Sequence, residues 1–283
     1  MTAFTPALAA GTLDGKIAWI TGGGSGLGRA MALRFAGLGA SVALSGRRVE
    51  PLEQVAAEIA AAGGRAATAP CDVREFKQVD LALASIQETL GVPDILVNNA
   101  AGNFLCPSEE LTPHGFDAVV RIVLHGTFHC TRAAGRLWIE KKRGGTVLSI
   151  ATTYAHTGSG FVLPSACGKA GVVALTRSLA VEWARHGIRL NAIAPGPIPT
   201  EGAFSRLLPT PALENARKRR IPAGRFGTQD ELAELAAFLV CDASDWMRGE
   251  IVTFDGGEWL RGAGEFNDIL DLPPEMIAAL KRK

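Results

Sequence analysis

The stretch TGGGSGLGR, Thr21 to Arg29, follows a short apolar segment and leads directly into a segment with helical periodicity. Glycines permit a tight turn and a close approach of the backbone to a pyrophosphate, which then binds the unpaired N–H groups of the helix N-terminus. A glycine-rich turn with no ligand is the alternative. A strand before the stretch and a helix after it, at the first crossover, favour dinucleotide binding. The residues assigned to this site are Gly22, Gly24, Ser25, Gly26, Leu27 and Gly28.

Short β-rich apolar segments alternate with longer helical segments along the rest of the chain, which is typical of a parallel sheet covered by helices on both faces. We therefore predict one α/β domain, a Rossmann-type, doubly wound, seven-stranded parallel sheet over residues 15–283, after an N-terminal extension of residues 1–14. The predicted strands are Lys16–Thr21, Ser41–Ser45, Ala66–Ala69, Ile95–Asn98, Thr146–Ile150, Arg189–Ala194 and Ile251–Phe254. The predicted helices are Leu27–Gly37, Pro51–Ala62, Gln78–Leu90, Pro113–Glu140, Ser165–Arg185 and Gln229–Leu239.

The composition argues against several classes of function. The chain has 283 residues, 47% apolar and 20% charged, which is enough to bury one large core. Its formal net charge is +1, so no global field attracts nucleic acid or an anionic membrane, and we expect neither partner. Five widely spaced cysteines without a CxxC pair argue against a disulfide framework or a zinc site. His125 and His129 are one helical turn apart but lack a suitably spaced carboxylate, so we expect no metal there.

The ends of the chain carry no recognisable targeting signal. Residues 1–14 contain no Lys or Arg and make a poor secretory signal or transit peptide. The final KRK is not the peroxisomal tripeptide, and no apolar run reaches the roughly eighteen residues of a membrane span. We therefore expect a cytoplasmic protein.

The end of the second predicted strand indicates which dinucleotide is bound. A protein that prefers NAD usually carries a carboxylate there for the ribose 2′-hydroxyl, whereas this chain carries Arg47 and Arg48. A planar guanidinium suits a 2′-phosphate, so we predict NADP(H) and assign Arg47 to it, while Arg48 is equally explained as a solvated helix start. Asp72, after the third strand, is open to two interpretations: an acceptor for the adenine amino group, or the N-cap of the next helix.

These motifs together resemble those of the short-chain dehydrogenase/reductase family across nearly the whole chain. The shared markers are Thr21–Gly28, Asp72-Val73, Asn98-Asn99-Ala100-Ala101-Gly102, Lys169 and Pro195-Gly196-Pro197-Ile198. The resemblance implies a nicotinamide-dependent oxidoreductase. We expect Asn98 to be mainly architectural, with backbone contact to the cofactor. The backbone of Pro195, Gly196, Pro197 and Ile198, at the carboxyl edge of the sheet, is expected to hold the nicotinamide carboxamide.

Two departures from the general family pattern narrow the resemblance. Most members carry an Asn where this chain has Val123, and a Tyr four residues before the lysine, where it has Ser165. Both departures are similar to the 2,4-dienoyl-CoA reductase branch, particularly its mitochondrial type. Further shared segments are Asn98–Phe104, Thr153-Tyr154, Thr157–Phe161, Pro164–Ala166, Gly202–Arg206 and Gly264–Asp268.

That branch implies a displaced catalytic tyrosine, and Tyr154, the only tyrosine of the chain, matches it. Its catalytic companions match Asn103, Ser165 and Lys169. Asn103 is also expected to contact substrate. Phe104 and Arg206 complete the expected substrate contacts. The resemblance further implies a fatty acyl-CoA substrate, NADPH as reductant and a homotetramer.

The chemistry of these residues agrees with conjugate reduction better than with carbonyl reduction. A developing alkoxide needs an acid, and the hydroxyl of Ser165 is a poor one. Reduction of a dienoyl thioester instead places charge on the thioester oxygen as a dienolate, which needs fixed donors such as the Tyr154 phenol and the Asn103 amide. We assign Lys169 to the nicotinamide ribose hydroxyls and to a positive potential. Ser165 shares a helix face with Lys169 and is open to a supporting hydrogen bond, an N-cap, or both.

Several alternatives remain open at this point. Tyr154 is also explained as a packing aromatic, and Thr152, in the place of the family's usual serine, as a donor or as a strand-end threonine bonded to backbone. Residues 195–228 are expected to form an irregular substrate-binding loop. Its basic cluster, Arg217 to Arg220, fits a solvated helix face better than a CoA phosphate site. The competing functions are another enoyl- or 3-oxoacyl-thioester reductase, and an inactive NADP-binding scaffold.

Overall fold

A computed structural model describes residues 4–200 and 210–280 of the chain. Seven strands form one parallel sheet in the order β3-β2-β1-β4-β5-β6-β7. All seven predicted strands are present, and each end lies within one residue of its predicted place. The strands are β1 Ile17–Thr21, β2 Ser41–Ser45, β3 Arg65–Thr68, β4 Ile95–Asn98, β5 Gly145–Ile150, β6 Ile188–Pro195 and β7 Ile251–Phe254.

Helices connect and cover the strands. The helices of the described residues are α1 Gly26–Gly37, α2 Val49–Ala61, α3 Phe76–Thr89, α4 Pro113–Val120, α5 Gly126–Glu140, α6 Tyr154–Thr157, α7 Leu163–Glu182, α8 Pro211–Arg220, α9 Gln229–Val240, α10 Glu258–Ala263 and α11 Pro274–Leu280. Short 3-10 turns lie at Ala184–His186, Asp242–Ser244 and Asn267–Asp271. None of these helices is long and apolar enough to cross a bilayer.

One predicted helix and one predicted loop were wrong in part. The long helix predicted over Pro113–Glu140 is interrupted by a π-helical turn, Arg121–His125, between α4 and α5. Apolar periodicity does not reveal this change because Val120 and Gly126, on either side of the wider turn, keep helical backbone angles. The segment 195–228 is not wholly irregular, since α8 lies within it; Thr210 caps this helix by accepting from the Leu213 N–H at 3.3 Å.

The sheet is buried on both faces, which explains why its strands are nearly continuous apolar runs. Successive side chains of a strand point to opposite faces. Trp19 and Ile20, adjacent in β1 and fully buried, accordingly belong to two different cores. The first core packs against α1, α2 and α9, and the second against α3, α5 and the end of α7.

The topology places the loops of interest at one edge. β1 lies between β2 and β4, so connections leave in opposite directions on either side of it, and a crevice forms at the carboxyl ends of the strands. The segments that follow β1, β2, β4, β5 and β6 therefore lie next to one another. These segments contain nearly all of the site residues predicted from the sequence.

Candidate active site

The glycine loop after β1 folds tightly against the start of α1. Gly22 and Gly26 adopt φ angles of +67° and +50°, in the left-handed region that favours glycine. A Cβ added at Gly28 would lie 2.1 Å from the carbonyl oxygen of Gly22, so no side chain fits there. The backbone of the loop is thus exposed to the crevice, with the unpaired N–H groups of the α1 N-terminus beside it.

A cleft of about 630 Å³ runs along this edge of the sheet. It reaches from Arg47, after β2, across the glycine loop to Gly196, after β6, which is the shape an extended dinucleotide would need. Predicted cofactor residues that line it are Gly22, Gly24, Ser25, Gly26, Leu27, Arg47, Asp72, Gly196 and Ile198. Predicted cofactor residues outside its lining are Gly28, Asn98, Lys169, Pro195 and Pro197.

Asp72 has a partner that its sequence position did not reveal. Its carboxylate accepts from the Nε of Arg74 at 2.9 Å and the Nη2 at 2.5 Å. The hydrogen bond from Arg74 holds the pKa of Asp72 below its usual range, and the charge of Arg47 adds to the effect. The N-cap interpretation was wrong, because α3 begins at Phe76, after Glu75.

The two asparagines at the end of β4 hold the scaffold together. Asn98 is buried, and its Nδ2 donates to the Thr131 hydroxyl of α5 at 2.9 Å. The Nδ2 of Asn99 donates to the carbonyl oxygens of Thr21 and Gly22 at 3.1 and 3.2 Å. The sequence did not distinguish this function from that of Asn98. The side chain of Asn99 therefore ties the β4 loop to the glycine loop.

Tyr154 and Ser165 come together at the end of β5. Tyr154 is the first residue of the one-turn helix α6, and its phenolic oxygen lies 3.0 Å from the hydroxyl oxygen of Ser165. Ser165 is only 2% exposed. The N-cap interpretation of Ser165 was wrong: α7 begins at Leu163 and Val162 flanks it. Its hydroxyl is consequently free of capping and bonds the phenol instead.

Lys169 lies one turn after Ser165 on the same helix and is 8% exposed. Its ammonium donates to the carbonyl oxygen of Ile150, the last residue of β5. Burial lowers the pKa of Lys169 from 10.5 to about 8, because the charged form loses solvation. A cation is thereby held beneath the loop that carries Tyr154.

The predicted substrate residues Asn103 and Phe104 lie in the loop after β4. The Asn103 side-chain oxygen accepts from the Phe104 N–H at 2.9 Å, and its amide nitrogen has no hydrogen-bond partner among the described residues. The Cys106 N–H donates to the Phe161 carbonyl oxygen at 2.9 Å, which joins this loop to the segment after α6. The structure thus brings the Asn103 loop beside the Tyr154–Ser165 segment.

Exposed apolar side chains surround this junction. From the first loop they are Phe104 and Leu105, and from the second Phe161, which is 59% exposed, and Leu163. Phe161 adopts a φ of +66°, an uncommon conformation for a residue with a large side chain. The chain therefore presents apolar surface to solvent beside the polar groups of the site.

Other residues singled out in the sequence have different surroundings. Arg206 lies outside the described residues. Thr152 is buried. In the basic cluster, Arg219 and Arg220 are exposed, as expected of a solvated helix face, whereas the partly exposed Arg217 has its Nε 2.7 Å from Oε1 of the buried Glu258. His129 donates from Nδ1 to the Val73 carbonyl oxygen at 2.9 Å. Within the described ranges, no cluster of three or more His, Cys, Asp or Glu side chains could hold a metal ion.

Comparison with known proteins identifies the family. The sequence profile described as enoyl-(acyl carrier protein) reductase matches residues 22–258. A probable 2,4-dienoyl-CoA reductase [(2E)-enoyl-CoA-producing] of Bacillus subtilis is 45% identical over 88% of this chain and 98% of its own. The chain belongs to the short-chain dehydrogenase/reductase family. It is therefore an oxidoreductase, and several of its relatives are named 2,4-dienoyl-CoA reductases.

Two further proteins are similar to this chain over most of its length. A probable 2,4-dienoyl-CoA reductase 3 [(3E)-enoyl-CoA-producing] of Caenorhabditis elegans is 45% identical, over 90% of this chain and 84% of its own. The crystal structure of a gluconate 5-dehydrogenase from Burkholderia cenocepacia in complex with NADP and tartrate has a TM-score of 0.83 at 34% identity, covering 88% of this chain and 96% of that one.

Proposed function

We propose that this member of the family is an NADPH-dependent 2,4-dienoyl-CoA reductase. The observation that carries the proposal is the 3.0 Å contact of the Tyr154 phenol with Ser165, the residue that stands where the general family pattern has its tyrosine. The buried Lys169 follows one turn later. The names of the relatives from Bacillus subtilis and Caenorhabditis elegans point the same way.

Tyr154 is proposed as the principal donor to the thioester oxygen of the substrate. In the free enzyme the Ser165 hydroxyl either accepts a hydrogen bond from the phenol or donates one to the phenolic oxygen, and in either case it holds the ring in one orientation. With substrate present, Tyr154 donates to the oxygen on which dienolate charge develops while Ser165 donates to Tyr154. A fixed donor that meets charge only as it develops lowers the barrier more than it strengthens ground-state binding.

Asn103 and Lys169 complete this proposed constellation. The Asn103 side-chain oxygen is occupied by the Phe104 N–H, which leaves its amide N–H groups as donors for the same thioester oxygen. Lys169 carries a positive charge at neutral pH despite its lowered pKa. That charge favours an enolate nearby, and the ammonium group is suited to the ribose hydroxyls of a nicotinamide nucleotide.

The cofactor proposed for the cleft is NADP(H), which supplies the hydride when bound. Arg47 lines the cleft after β2, where its guanidinium would bind a 2′-phosphate. The glycine loop would hold the pyrophosphate, and Gly196 and Ile198 lie at the end expected for the nicotinamide. Asp72 would accept a hydrogen bond from the adenine amino group while its carboxylate remains paired with Arg74.

The substrate class follows from the mixed surface at the site. An exposed apolar surface for an acyl chain lies beside the proposed hydrogen-bond donors to the thioester. It is formed by Phe104, Leu105, Phe161 and Leu163. We propose a fatty acyl-CoA, with Phe104 and Arg206 among its contacts. The CoA phosphates require basic groups, for which Arg206 remains the candidate.

Assembly and location are part of the same proposal. We propose a homotetramer, supported by exposed apolar side chains such as Phe128 on α5 and Leu260 on α10, which a subunit interface would cover. We also propose a cytoplasmic location, since all five cysteines are free thiols. Neither nucleic acid nor a membrane is proposed as a partner. Light scattering of the purified protein would give the mass of the assembly, and a monomer would overturn the tetramer.

A substrate comparison tests the function. Oxidation of NADPH is followed with a 2,4-dienoyl-CoA, a 2-enoyl-CoA and a 3-oxoacyl-CoA of equal chain length. We expect turnover with the dienoyl-CoA, and product analysis then gives the position of the remaining double bond. Activity with the 3-oxoacyl or enoyl thioester alone would establish the competing reductase. Tight NADPH binding without turnover of any thioester would establish the scaffold.

A further inference from the structure

The turn after β7 is firmly fixed at the edge of the site. Asp255 accepts from the Gly257 N–H through Oδ1 and from the Trp259 N–H through Oδ2, both at 2.8 Å. The Gly257 φ of +88° suits this tight entry into α10. The Gly256 carbonyl oxygen also accepts from the Ala223 N–H at 3.1 Å. The first residues of α10 are therefore held from several sides.

Glu258, the first residue of α10, adds a buried ion pair. It is 7% exposed and meets Arg217 of α8, with Nε 2.7 Å from Oε1 and Nη2 3.2 Å from Oε2. A buried carboxylate that loses the cation with which it pairs is strongly unfavourable, so α8 and α10 are expected to move together. The position of Trp259, the next residue, is consequently set by a rigid base.

Trp259 stacks on His156 of the one-turn helix α6. The two ring centroids are 5.3 Å apart and the rings are inclined by 17°. His156 belongs to α6, which begins at Tyr154 and has only four residues. A single helical turn is not stable in isolation, because nucleation costs more than its few hydrogen bonds return. The turn therefore depends on tertiary contacts, among them Tyr154 with Ser165, Ala155 with its buried apolar neighbours, and His156 with Trp259.

We infer that Trp259 is a positioning residue for Tyr154. Its ring holds His156, and through it the α6 turn, at the place where the phenol meets Ser165. Without this stack, α6 can rotate or fray, and the phenolic oxygen leaves the position from which it donates. The inference rests on the proposed function only in taking Tyr154 as the donor. Displacement of a catalytic group by about 1 Å can cost roughly a hundredfold in rate.

The kinetic test compares two tryptophans. Trp259→Ala is expected to lower kcat by roughly ten- to a hundredfold, with the dissociation constant of NADPH unchanged. Trp246→Ala is the matched control, because Trp246 is 98% exposed, and it should leave kcat as it is. Trp259→Phe retains an aromatic ring and should recover most of the rate. In a Tyr154→Phe background, Trp259→Ala should have little further effect, since the residue acts through the phenol.

A second readout does not depend on the substrate. Tyr154 is the only tyrosine, so protein labelled with tyrosine that carries ¹³C at Cζ alone gives one ring signal. His156→Ala, a change at an exposed residue that leaves the tryptophan in place, should shift or broaden this signal and lower kcat as Trp259→Ala does. The double variant, with both His156→Ala and Trp259→Ala, should have a kcat no lower than that of either single variant. Trp246→Ala should not change the signal.

The outcomes separate the inference from the proposed function. An unchanged tyrosine signal in both the Trp259 and His156 variants, or an equal loss of kcat with and without the Tyr154 phenol, would overturn the positioning role. A wild-type enzyme that turns over no dienoyl-CoA would overturn the proposed function, while the tyrosine signal would still decide whether Trp259 holds α6.

Discussion

The hydroxyl oxygens of Tyr154 and Ser165 are 3.0 Å apart, although the residues belong to different helices and are 11 positions apart in the chain. α6 begins at Tyr154, shortly after β5 ends at Ile150, and the chain then returns to begin α7 beside it. The general family pattern supplies a phenol directly from the position of Ser165. In this protein the phenol belongs to Tyr154 of the neighbouring turn α6, and Ser165 is hydrogen-bonded to it.

Removal of the phenolic hydroxyl tests the proposed donor. Tyr154→Phe keeps the ring but cannot donate, and loss of one such donor typically costs about a hundred- to a thousandfold in kcat. NADPH affinity should stay within about twofold, since the hydroxyl is needed only by the reacting oxygen. Steady-state kinetics and a fluorescence titration measure the two effects. A phenylalanine variant with wild-type kcat would exclude Tyr154 as the donor.

Ser165→Ala tests the support of that donor. The phenol keeps its proton but loses a partner that orients it, and a net hydrogen bond is worth about 1 kcal/mol, so kcat should fall by about five- to tenfold. Ser159→Ala, on the exposed segment after α6, is the matched control and should have no effect. In the Tyr154→Phe background the loss should disappear; a loss that persists would mean that Ser165 acts elsewhere.

Arg47→Ala tests the preference for NADP(H). A charge-assisted hydrogen bond to the 2′-phosphate is worth about 1.5–3 kcal/mol, so KM for NADPH should rise by about ten- to a hundredfold. KM for NADH, which lacks this phosphate, should barely change. Arg136→Ala removes an exposed arginine on α5 that pairs with Glu140 and serves as control. An equal rise for both nucleotides would point to a general effect on the cleft.

Lys169→Met tests the burial of the ammonium group through the pH dependence of stability. The folded-state pKa is about 8, against 10.5 ordinarily, so between these values the folded protein binds fewer protons than the unfolded chain. Stability therefore rises with pH in this window. Below pH 8 both states carry the charge, and the full cost of burial is present.

The measurement for Lys169 is urea unfolding of the cofactor-free wild type and the methionine variant. The free energy of unfolding of the wild type, relative to the variant, should increase by about 3 kcal/mol across the window. Because other titrating groups are common to both proteins, they cancel in the difference. A difference that is independent of pH would contradict a lowered pKa.

Gly28 and Gly37, both in α1, give a matched pair of substitutions that tests the tight packing of the glycine loop. Gly28→Ala would place a Cβ 2.1 Å from the Gly22 carbonyl oxygen, so it should cost about 1–3 kcal/mol of stability and weaken NADPH binding. At Gly37 nothing lies within 4 Å of an added Cβ, and alanine should stabilise by about 0.5–1 kcal/mol. Thermal unfolding measures the change in stability for each of the two variants. Equal effects of the two substitutions would contradict the tight approach at Gly28.

The sequence alone determined the fold and the outline of the site. Buried parallel strands need apolar runs, and glycine, proline and polar residues end them, so each predicted strand end lay within one residue of its place. The motif at Gly22–Gly28 depends on local backbone freedom next to a helix start. Such features are local, and for that reason they can be read from neighbouring residues.

Only the tertiary structure decided which side chains meet. Asp72 was weighed as an N-cap and instead pairs with Arg74; Ser165 was weighed as an N-cap and instead meets Tyr154. Trp259 had no role in the sequence at all, and it reaches His156 because β5 and β7 both lie beside β6. These contacts join residues that are distant in the chain, and their geometry depends on how helices pack on the sheet. The residues of α6 could be named from the sequence, but the contacts that hold this turn in place depend on how the molecule packs.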